Sequence, residues 1–187
     1  MSARQTMGPV VVFLTAMFLA AAIATASFAG GCVRPGPAAG RSGDKLTPGI
    51  AVSADLDGDG ATEQILVDGT TRHITISDGA TVYRSREKWQ VLEASLADTD
   101  RNGLLEVVTL LDAADGRHLG LFAYVGGEYR ERLVTSVLHP RPLSLRVIAD
   151  GLIVLTEEPG AGQTGVQTTT YRWNGFGFTA LDPATPQ

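Results

Sequence analysis

Two nine-residue stretches carry the chemistry that this sequence offers most plainly. Asp55-Leu56-Asp57-Gly58-Asp59-Gly60-Ala61-Thr62-Glu63 places carboxylates at its first, third, fifth and ninth positions and glycine at its sixth. Asp98-Thr99-Asp100-Arg101-Asn102-Gly103-Leu104-Leu105-Glu106 repeats the frame, with the amide of Asn102 where the first copy has Asp59. A hard divalent cation such as Ca²⁺ takes about six to eight oxygen ligands, which alternate residues of a tightly curled loop can supply. Glycine at the sixth place permits a sharp turn, so that the main-chain carbonyl of the seventh residue, Ala61 or Leu104, can join the shell.

Asp-Gly runs are also ordinary hairpin tips that bind no metal. The first loop, however, gathers Asp55, Asp57, Asp59 and Glu63. Without a cation their mutual repulsion would raise their pKa values or spring the loop open. Calcium is therefore expected in both loops. They are not EF-hands: the twelfth position, where that loop carries a bidentate Glu, holds Leu66 in one copy and Thr109 in the other. Strand-like residues follow each loop: Gln64-Ile65-Leu66-Val67 and Val107-Val108-Thr109-Leu110.

A calcium loop with an apolar strand on either side, as in Ala54-Asp55 through Val67 and Ala97-Asp98 through Leu110, resembles the FG-GAP/VCBS repeats. These form the blades of the integrin alpha-chain propeller and of many bacterial surface proteins. The resemblance covers residues 50–112 most specifically and extends more weakly to about 180. It implies β-propeller blades, calcium in the loop leading to a blade strand, and a binding or adhesive role without catalysis.

The elements that must position these loops read as strands and tight turns. Asp78-Gly79, Gly126-Gly127, Asp150-Gly151 and Asn174-Gly175 each lie between a pair of strand-like runs, as hairpin connections do. No window after residue 47 sustains a 3.6-residue period, and Arg84–Leu92 is the one ambiguous stretch, with Trp89 expected in the core. The class is all-β. Asp55 and Asp98 lie 43 residues apart, near the length of a four-stranded propeller blade. A degraded third unit is expected over residues 145–178, with Asp150-Gly151 standing in for the acidic loop. About three units are too few for the usual closed ring of blades, which points to a compact three-sheet domain or to ends covered by a partner.

Residues 7–31 are uncharged and apolar after a start bearing Arg4, which is the build of an export signal. Phe28-Ala29-Gly30-Gly31-Cys32 resembles a bacterial lipoprotein cleavage box, with Cys32 as the lipidated residue and Ala29 where Leu is usual. Ordinary cleavage after Ala24-Thr25-Ala26, or retention as a membrane helix, are the alternatives. All three place the domain outside the cytoplasm. The expected division is a signal over residues 1–32, a flexible Pro/Gly-rich tether over 33–47 and a calcium-binding β-repeat domain over 48–182.

The net charge is −5, and seven of the twenty acidic residues belong to the two loops, so two bound Ca²⁺ would bring the chain near neutrality. Basic residues are scattered, which gives no nucleic-acid footprint. With one cysteine there is no internal disulfide. His73, His118 and His139 lack ligand spacing and read as strand-end or surface residues. Adjacent Glu157 and Glu158 on a strand point to opposite faces. Alternation places Tyr171 with Trp173, and Phe176 with Phe178, as a possible contact surface for an envelope protein or polysaccharide, or else as core. The leading expectation is a lipid-anchored, non-catalytic binding module. A secreted hydrolase or accessory domain, with Glu157, His118 or His139 in an inter-blade cleft, is the alternative.

Overall fold

The computed structural model describes residues 39–160, 162 and 164–181. The signal segment, Cys32 and the first residues of the expected tether lie outside them. The described residues form an all-β structure of three sequential four-stranded antiparallel sheets. The first contains β1 (Val52–Ala54), β2 (Glu63–Val67), β3 (Ile74–Asp78) and β4 (Thr81–Arg84), in chain order across the sheet. The second contains β5 (Gln90–Ala97), β6 (Glu106–Ala113), β7 (Gly116–Val125) and β8 (Glu128–Val134). The third contains β9 (Pro142–Ile148), β10 (Leu152–Glu157), β11 (Gln167–Trp173) and β12 (Phe178–Leu181).

Side-chain alternation along the strands explains why the sheets stack. Strand β6 reads Glu-Val-Val-Thr-Leu-Leu, apolar at successive positions, as a strand covered on both faces must be. Val107 and Leu111 pack with Ile65, Ile74, Ile76 and Phe122 in one core. Val108 and Leu110 pack with Leu145, Ile153 and Leu155 in a second. The middle sheet is therefore sandwiched between the other two. The flanking sheets alternate, with one apolar face each. Ser53, Gln64, Thr75 and Ser77 line the far face of the first, where the Gln64 amide donates to Ser53 Oγ at 2.7 Å. Ser144, Arg146, Thr156, Thr168 and Thr170 line the far face of the third. These largely polar faces suit a three-layer stack that ends in water. No strand pairing joins one sheet to the next among the described residues.

The packed region starts earlier than the composition of the expected tether suggests. Gly40 and Gly43 donate to the carbonyls of Ser53 and Leu96 at 2.6 and 2.8 Å, and Leu46 donates to Ala94 at 2.8 Å. Lys45 bridges to Ser95, and the Leu46 side chain is buried in the first core. Main-chain hydrogen bonding along β5 holds a segment too poor in apolar residues to pack by itself. Within the ambiguous stretch, residues 85–89 form the connection between β4 and β5 and the ends belong to those strands, with Trp89 buried as expected. The last hairpin differs in detail. Asn174 Oδ1 accepts from the amides of Phe176 and Gly177, so both belong to the turn and β12 starts only at Phe178.

Candidate metal centre

The two acidic loops occupy the same place in their sheets, each joining the first strand to the second: β1 to β2, and β5 to β6. The corresponding β9–β10 connection is the short turn Ala149–Gly151, where Asp150 and Gly151 have φ of 60° and 66°. In both acidic loops the sixth-position glycine is left-handed, with φ of 87° at Gly60 and 89° at Gly103. This is the turn that the pattern required. The fourth position is left-handed as well, at Gly58 and at Arg101.

In the first loop, Asp55, Asp57 and Glu63 each bring a carboxylate oxygen within 4.8 Å of the others. Glu63 opens β2 and is buried. Its Oε2 accepts from the Leu56 amide at 2.5 Å, which closes the loop on itself. Its Oε1 is buried without a hydrogen-bond partner. Asp55 accepts from Gly58 and Gly60 at 2.7 and 3.1 Å, and Asp57 from Asp59 at 3.0 Å. Asp59 lies outside the triad and is exposed, its Oδ1 accepting from the amide of Ala61 at 2.7 Å. Burial pushes the Glu63 carboxyl above the usual carboxylate range, and the charges of Asp57 and Asp55 add to this against the Leu56 amide. A buried carboxylate with an unpaired oxygen and two acidic neighbours suits a cation placed among them.

The second loop brings Asp98, Asp100 and Glu106 together in the same way. Glu106 Oε2 accepts from the amide and the hydroxyl of Thr99, both at 2.8 Å, and Asp98 accepts from Asn102 and Gly103 at 3.1 Å. Asn102 turns its Oδ1 to the amide of Leu104 at 2.7 Å. Here the structure adds a residue that the sequence frame does not contain. Arg132 of β8 donates to Asp100 Oδ2 at 2.9 Å and to Glu106 Oε1 at 3.0 Å. Burial raises the Glu106 pKa, the Thr99 bonds oppose it, and Asp100 and Arg132 pull in opposite directions.

An aromatic pair stands beside each loop. Tyr124 and Tyr129 of the second sheet pack 4.9 Å apart. Tyr129 lies by the first loop, where burial and then the negative field of Glu63, Asp57 and Asp78 hold its phenol protonated. Trp173 and Phe178 of the third sheet pack 5.3 Å apart, and the Arg132 guanidinium lies 4.7 Å from the Trp173 ring centre. Trp173 and Asp100, with Thr99, Arg101, Arg172, Asn174 and Gly175, line an open cleft of about 390 Å³ beside the second loop.

The aromatic end accordingly divides. Trp173 is buried in the second core, and Tyr171 and Phe178 pack against that core half-buried. Phe176 is 93% exposed at the turn tip. Of the four residues considered for a contact surface, Phe176 alone is fully displayed. The histidines divide: His73 stands at a strand end, immediately before β3, as expected, though buried, whereas His118 lies within β7 and is buried rather than superficial. His118 lies against Trp89, with Nδ1 2.8 Å from the Thr135 carbonyl and Nε2 3.1 Å from Asp115 Oδ1. Glu157 is buried and accepts from the Thr169 hydroxyl at 2.7 Å, while Glu158 pairs with Arg141 at 3.2 Å. No described hydrogen bond or ion pair joins Glu157 to His118 or His139.

Compared with known proteins, the chain matches no family model, no curated protein and no solved structure.

Proposed function

We propose that this chain is a calcium-stabilised β-repeat domain of the FG-GAP/VCBS type, acting outside the cytoplasm as a non-catalytic binding module. The supporting observation is the buried, unpartnered Oε1 of Glu63, within the convergent triad of Asp55, Asp57 and Glu63. An all-oxygen, strongly anionic site built on converging carboxylates favours Ca²⁺ over softer metals and over the stricter octahedron of Mg²⁺. In this reading the ion links the start of β2 to the end of β1 and is structural. Export and anchoring through a lipidated Cys32 would place the domain where free calcium is high, with an envelope protein or polysaccharide as partner.

A site of Kd near 0.1 mM in about 1 mM Ca²⁺ adds about 1.4 kcal/mol by mass action. Thermal melting of the full chain in EDTA, and with Ca²⁺ or Mg²⁺ restored, tests the metal assignment. The melting temperature should fall by several degrees in EDTA and recover with Ca²⁺ far more than with Mg²⁺. An identical melting curve in all three conditions removes the assignment.

A further inference from the structure

The two loops share a frame but differ in how their charge is balanced. The described ion pairs include none at Asp55, Asp57, Asp59 or Glu63. In the second loop, the Arg132 guanidinium bridges Asp100 and Glu106 through one nitrogen and rests its carbon over the Trp173 ring. Glu106 is 3% exposed at its side chain and Arg132 25%, so this pair is largely withdrawn from water. A buried carboxylate is stabilised strongly by a hydrogen-bonded guanidinium, and removing one partner of such a pair leaves the other uncompensated.

We infer that Arg132 is the resident cation of the second loop, so that only the first loop depends on a metal from solution. This rests on the calcium reading of the first loop. Ca²⁺ then loads the first site readily. In the second, where Asp100 Oδ1 is likewise buried without a hydrogen-bond partner, it competes with Arg132 for Asp100 and Glu106, and displacing Arg132 also lifts the guanidinium from Trp173. An internal competitor engaged nine-tenths of the time weakens the apparent affinity about tenfold. The loops touch at Gly58 and Leu104, where a methyl group on Gly58 would lie 2.7 Å from Leu104 Cδ2.

Calorimetric titration of the full, chelator-stripped chain with CaCl₂ tests the assignment. The wild type should show one tight site, lost in Asp57→Asn and kept in Asp100→Asn, and a second site weaker by about tenfold or more. Arg132→Gln should tighten the second site about tenfold and leave the first unchanged. Two equally tight wild-type sites, or an Arg132→Gln chain whose second site is no tighter, overturn the role of Arg132 and leave the calcium reading standing. No calcium binding at either loop overturns both. Trp173 emission in Asp57→Asn reports the same displacement without altering Arg132. A calcium-dependent spectral change is expected there, and bound calcium with an unaltered spectrum overturns the inference.

Discussion

Gly151 of the third sheet lies directly against the main-chain oxygen of Asp98, the first residue of the second acidic loop. A methyl group at Gly151 would collide with that oxygen, and the left-handed backbone at this position disfavours any side chain besides. The short turn of the third sheet thus props the loop of the second, as Leu104 of the second props Gly58 of the first. Gly151→Ala should cost about 3 kcal/mol, because a rigid backbone contact must move as well as the turn. Chemical denaturation checks this. A loss below about 0.5 kcal/mol, the range of a neutral surface change, would show that the turn does not bear on the loop.

The unpaired Glu63 oxygen predicts opposite effects with and without metal. The folded, metal-free chain holds the Glu63 proton more tightly than the unfolded chain does, because burial raises its pKa. This contribution is present below the ordinary carboxylate pKa and is lost as pH rises through the folded value. In EDTA at neutral pH, Glu63→Gln should be as stable as the wild type or more so, by about 1 kcal/mol. In calcium it should lose the metal-dependent gain. Melting of both chains in EDTA and in calcium, between pH 4 and 7, follows each effect. A variant much weaker than the wild type in EDTA would refute the cost assigned to the orphaned carboxylate.

Much of the strand order was legible because hairpin turns and period-two alternation are local, and both acidic loops were legible because each ligand frame is contiguous. Asp55, Asp57 and Glu63 converge as their spacing implies, and Oδ1 of Asp59 and of Asn102 accepts from the amides of Ala61 and Leu104, just as Asp55 and Asp57 accept from amides of their own loop. Arg132 could not be read in advance. It is 26 residues from Glu106, on the fourth strand of its sheet, and only the folded register brings the two together. Trp173 was undecided for a related reason: alternation fixes the face that a residue occupies, but not which face the neighbouring sheet covers. The polar far faces of the outer sheets settle that.

Tyr83 gives the alkaline edge of stability. Burial, and then the nearby charge of Glu131, push its phenol up to about 12, and it packs 6.2 Å from the Phe122 ring. The unfolded phenol ionises near pH 10, so the stability that Tyr83 contributes is whole below that pH and is lost as pH rises from about 10 to 12. Tyr129 adds a decline of the same sign. Melting temperature should fall across this window, less steeply in Tyr83→Phe and least in Tyr83→Phe/Tyr129→Phe. Equal slopes in all three chains would contradict a half-buried Tyr83 held protonated.

Leu46 decides where the folded domain begins. A residue in a free tether could be shortened without consequence, but the Leu46 side chain is 2% exposed and belongs to the core of Ile65, Val91 and Leu96. Its amide is also bonded to Ala94, next to the Lys45–Ser95 bridge. Leu46→Ala leaves a cavity between this segment and β5 and should cost about 2–4 kcal/mol, less if the chain can close over the gap. Val166, 63% exposed in the connection before β11, supplies the contrast, and Val166→Ala should change stability by less than about 0.5 kcal/mol. Paired denaturation curves compare them. If Leu46→Ala proves as silent as Val166→Ala, the segment from Gly40 to Leu46 is a tether and β5 forms the true edge of the second sheet.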